Sequence, residues 1–67
     1  MNDTPWERGS DDRYRRNFNG CRLEVYQSHS PGRWNILADG SSYGFRSSAL
    51  AAMGFAEKVA RTAPWRV

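Results

Sequence analysis

The side chains able to do covalent chemistry in this chain are one cysteine, one histidine and scattered serines. His29 lies between Ser28 and Ser30, and Cys21 is distant from it in sequence. A histidine beside a hydroxyl or thiol is the arrangement of a base and its nucleophile. Each of these neighbouring residue types is common in polar loops, however. The expectation is therefore a solvent-facing loop histidine, a buried or edge thiol and no enzyme. Asp39-Gly40 reads as turn chemistry, and Asp11-Asp12 as capping or solvation. The chain has no Asp-x-Asn-x-Asp calcium loop, no phosphate-binding Gly-Lys-Ser/Thr loop and no zinc-protease histidine pair,. No catalytic residue, metal or cofactor is expected.

The remaining chemistry is recognition. Lys58 is the one lysine among ten basic residues, and the net charge is +3. Arginine suits planar recognition of carboxylate, phosphate and base edges. Arg22, Tyr26, Arg33, Asn35 and Arg46 are the candidates for contact with DNA or RNA, because strand alternation assigns all five to one sheet face. The arginines would meet phosphates and Tyr26 would stack on a base. Glu24 and Asp39 count against a dedicated phosphate surface. Trp6, Leu37 and Trp65 are the candidate anchors for protein contact, since aromatics and arginines commonly carry interface energy.

Three strands and a helix must position these groups. Leu23 and Val25 alternate with Arg22, Glu24 and Tyr26, the pattern of a half-buried strand. Trp34, Ile36 and Ala38 alternate with Arg33, Asn35 and Leu37 in the next. In the third, Tyr43 and Phe45 are assigned to the core side, and Ser42, Gly44 and Arg46 to the other. Asn19-Gly20 is a strong type I′ hairpin signal. It favours a further strand over the alternative of a short helix in residues 11–20. Its register sets Phe18 opposite Cys21, Arg16 opposite Leu23, Arg15 opposite Glu24 and Tyr14 opposite Val25.

A helix is predicted from about Ser48 to Thr62, with Ser47 or Ser48 as its cap. At 100° per residue, Ala49, Ala52, Met53, Ala56, Val59, Ala60 and Ala63 form one stripe. Leu50 and Phe55 lie at its margins, and Glu57, Lys58 and Arg61 on the wet side. Pro64 ends the helix, and Trp65 folds back on the core.

The fold class is thus α+β, a small antiparallel three- or four-stranded sheet packed on one C-terminal helix. Residues 1–12 are expected as a flexible N-terminal tail and residues 13–67 as a single domain. With 67 residues and one cysteine, no internal disulfide staples the chain,. About 60% of the unfolded surface is buried at this size, so a partner or homodimer is a natural supplement. The opening residues hold no apolar run and no segment approaches about 20 apolar residues, so neither a secretory signal nor a membrane span is expected, and a cytoplasmic location is the expectation.

The run Arg33-Trp34-Asn35-Ile36, Asp39-Gly40, Phe45-Arg46-Ser47, then Ala49, Ala52 and Ala56 is similar to small uncharacterised bacterial domains. In those, a hairpin with a tryptophan in its second strand precedes an alanine-rich helix. Residues 22–60 also resemble the arm-binding N-terminal domain of some phage-type tyrosine recombinases. That domain resembles a plant module that reads the major groove with its sheet. The second likeness implies Arg22, Arg33, Asn35 and Arg46 as sheet contacts. The chain departs from it in a less basic sheet and in having no catalytic domain within its length. The resulting expectation is a small non-enzymatic accessory or protein-interaction module, with nucleic-acid binding as the alternative.

Overall fold

The computed structural model describes residues 3–28 and 32–62. His29 and Trp65, and with them the expected helix end at Pro64, lie outside the described residues. Five strands and one helix follow in chain order: β1 Glu7–Arg8, β2 Tyr14–Phe18, β3 Cys21–Gln27, β4 Trp34–Ala38, β5 Ser41–Arg46 and α1 Ala49–Thr62. The strands form a single antiparallel sheet in the order β1-β2-β3-β4-β5. The α+β class holds, with five strands in place of three or four. The additional strand is β1, inside the segment expected as a tail.

Two tight turns set the registers. Asn19 and Gly20 have φ of 52° and 77°, and Asp39 and Gly40 have φ of 50° and 85°. Positive φ at both central residues matches the type I′ turn, whose twist suits the flanking strands. The first turn yields the four β2–β3 pairings read from the sequence.

α1 covers one face. Ser48 caps it: Ala51 N–H donates to Ser48 Oγ at 3.2 Å, and Ala52 N–H to Ser48 O at 3.0 Å. Ala52, Ala56, Val59 and Ala60 are buried against Cys21, Leu23, Val25, Ile36 and Ala38. The small side chains come from the helix and the large ones from the sheet, so the two layers approach closely. Trp34, Tyr43, Met53 and Phe55 pack around that centre. No described helix is long and apolar enough to cross a membrane.

The third strand of the expected sheet differs from simple alternation. Asn35 pairs with Phe45 and Leu37 with Ser42, so one residue of β4 opposes two of β5. This is a β-bulge, and Gly44 within it takes φ of 96°,. A Cβ there would meet nothing within 4 Å. The backbone conformation, not lack of space, is what favours glycine. Because a side-chain period of 2 has gained one residue, everything beyond the bulge changes face. Tyr43 stays with the core, Phe45 turns to the open face, and Arg46 turns to the helix side.

The candidate binding face

Among the described residues no helix lies on the other side of the sheet. In that open layer Glu7, Arg15, Glu24, Leu37 and Ser42 form one row across all five strands. Tyr26, Asn35 and Phe45 form a parallel row across β3, β4 and β5. Asn17 and Arg22 lie opposite each other towards the Asn19-Gly20 turn.

The β1–β3 half is charged and internally paired. Arg13 donates to Glu24 at 3.0 Å and stacks over the Tyr26 ring at 4.2 Å. Arg15 lies 3.4 Å from the same carboxylate and 2.5 Å from Asp11. The hydrogen bond from Arg15, followed by the Arg13 amide, lowers the Asp11 pKa from 3.8 to about 2. Asp11 in turn raises the Arg15 pKa. A depressed carboxylate stabilises the fold above its unfolded pKa and ceases to do so as pH falls through its folded pKa. The Asp11–Arg15 contact should therefore persist at pH 4 and open towards pH 2. A 13C carboxyl titration should place the Asp11 midpoint near 2; an ordinary midpoint near 3.8 would show that the contact does not form in solution.

The β3–β5 half is largely uncharged. Phe45 is 47% exposed there, with the Arg33 guanidinium 4.2 Å over its ring. Leu37 is half-buried in the neighbouring row. Among the described residues neither Arg33 nor Arg22 makes an ion pair.

The structure thus brings Tyr26, Asn35 and Arg33 together and sets Arg22 at the far end of the same face. Arg46 is not on that face. Its guanidinium lies 3.8 Å over Phe55 of α1, and it donates to the Phe45 carbonyl at 2.7 Å. Sequence reasoning also assigned Phe45 to the core, whereas it lies in the open layer. The glycine inside a strand was the signal for both differences.

Trp6 lies on the helix side as well. Its Nε1–H donates to Glu57 Oε2 at 2.8 Å, and Arg16 Nη1 donates to the same oxygen. Glu57, expected on the wet side of α1, is therefore turned towards the sheet. Arg16 also stacks on Phe18 at 4.4 Å. Below the helix, Cys21 is 2% exposed, so its thiol is closed to substrate. Among the described residues no group of three His, Cys, Asp or Glu side chains converges. Two hollows, of about 550 and 540 Å³, lie at the sheet's margins. Tyr26 and Arg13 border the first, and Arg15 and Arg22 the second.

Comparisons with protein-family models, with curated proteins and with solved structures gave no match.

Proposed function

We propose that this protein is a non-enzymatic interaction module that docks a protein partner on its open sheet face. The reading rests on Phe45, a large apolar side chain in register with Asn35 and Tyr26 on the face that no helix covers among the described residues. Leu37 extends the apolar area, and arginines rim it. Buried aromatics and arginines are the usual anchors of protein interfaces. Glu24 neutralises Arg13 and Arg15, which interrupts the basic path a nucleic-acid backbone would follow. Arg13, Arg15, Arg22 and Arg33 against Glu7, Glu24 and Asp11, which pairs with Arg15, leave the face net positive. Two copies face to face would bring like charges together, so a different partner is favoured over a homodimer. A cytoplasmic setting belongs to this reading, because it keeps the Cys21 thiol reduced.

DNA or RNA binding is the second reading, favoured by Arg22 and Arg33, which lack carboxylate partners among the described residues. The two readings separate in a capture experiment from a lysate of the source cells. Immobilised wild type, Phe45→Ser and Leu50→Ser would be compared. Leu50 is 81% exposed on the helix and serves as the control. A protein held by wild type and by Leu50→Ser should fall at least about fivefold on Phe45→Ser. Equal recovery on all three removes the open face from the reading. Nuclease-sensitive recovery moves the assignment to nucleic acid.

A further inference from the structure

The open face carries two arginine–aromatic contacts at the same 4.2 Å distance, and only one arginine also meets a carboxylate. Arg13 lies 4.2 Å over Tyr26, and its guanidinium edge is filled by Glu24 at 3.0 Å. Arg33 lies 4.2 Å over Phe45, and no carboxylate meets it among the described residues. A ring beneath a guanidinium holds its plane while leaving the in-plane N–H groups free. Those groups match a carboxylate in a two-point contact.

We infer that Arg33 captures a carboxylate side chain of the partner, with the adjoining apolar residue of that partner resting on Phe45 and Leu37. This deepens the protein-docking reading above and depends on it. The source is a protein acid rather than a phosphate chain, for a geometric reason. A nucleic-acid backbone needs a succession of cations, and here the succession is broken. Arg46 lies on the other side of the sheet, over Phe55. Arg13 is spent on Glu24. Arg22 stands six strand positions from the Arg33 level, about 20 Å at about 3.4 Å per residue. A single isolated cation beside an apolar floor suits one carboxylate flanked by apolar side chains.

A phage-displayed library of random decapeptides panned on the immobilised full chain tests this. Binding of the enriched peptides would then be measured to wild type, Arg33→Gln, Arg22→Gln and Phe45→Ser, each checked for fold by circular dichroism. Enriched peptides should carry Asp or Glu beside an aliphatic or aromatic residue. They should bind Arg33→Gln about tenfold more weakly, the effect of losing a charge-assisted contact, and Arg22→Gln unchanged. Peptides that lack an acid, or that bind Arg33→Gln as wild type but fail on Phe45→Ser, would overturn the role of Arg33 and leave the docking face standing. No enriched peptide, or binding by an oligothymidylate alone, would overturn both.

Discussion

Replacing Glu57 with alanine should lower the unfolding free energy by about 2–4 kcal/mol, most of it from an arginine left without its counter-charge. The Arg16 and Glu57 side chains are 21% and 22% exposed. Arg16 Nε is already buried without a hydrogen-bond partner, so the guanidinium depends on Glu57 for its remaining compensation. Trp6 loses its acceptor in the same substitution, which adds about 1 kcal/mol. A fully buried broken pair costs about 3–5 kcal/mol, and the partial exposure here places the expected loss below the top of that range. Whole domains hold about 0.05–0.15 kcal/mol per residue, so this single change removes a large share of a small chain's stability.

Urea unfolding measures the effect. Arg16→Met combined with Glu57→Leu should lose less than Glu57→Ala alone, since it removes both charges and keeps apolar volume. A Glu57→Ala loss below about 0.5 kcal/mol, the size of an exposed pair, would show that solvent screens the contact.

Ala56→Leu should destabilise by about 1–3 kcal/mol through overpacking. Ala56 is buried in the cluster that holds Leu23, Val25 and Ile36, all of them fully enclosed. Those three side chains fill the space on the sheet side, so added methylenes can be admitted only if the helix lifts. In a domain of this size each kcal/mol moves Tm by about 4–8 °C, which thermal unfolding detects readily. An unchanged Tm would mean that the layers stand further apart than the burial of Ala52, Ala56 and Ala60 implies.

The parts of this fold legible in the sequence are those governed by local backbone chemistry. Asn19-Gly20 and Asp39-Gly40 each impose a two-residue turn, and a fixed turn carries the register of its hairpin. The Ser47-Ser48 pair announces the helix start, because a hydroxyl satisfies amides that have no intrahelical acceptor, and Ser48 is the one that caps it,. The alanine stripe reveals which helix face meets the sheet.

The less legible parts depend on non-local events. The bulge at Gly44 shifts one strand by a single residue; a glycine within a strand signals such an irregularity, but the face each later residue takes is set only by pairing with β4,. Read alone, Arg16 looks misplaced on an inner sheet position, and Glu57 looks like an ordinary charge on the wet side of the helix. They become intelligible as a pair 41 residues apart. Trp6 finds its acceptor 51 residues away, which no window along the chain reveals. The candidate face was legible at Tyr26, Asn35 and Arg33, whose strands are regular. It was misread at Phe45 and Arg46, which follow the bulge.

The simple order of the strands has a consequence for how the chain reaches its native state. Every strand lies beside its neighbour in sequence, so the sheet can zip from its turns with short loops to close. Low contact order of this kind lowers the entropic part of the folding barrier. The tie from Trp6 and Arg16 to Glu57 is of the opposite type, joining segments that the sheet and helix must first bring together. An interaction formed after the rate-limiting step governs how long the native state lasts more than how quickly it appears. By that logic the contacts of Trp6 and Arg16 with Glu57 work as a latch, closing once the sheet and helix have come together.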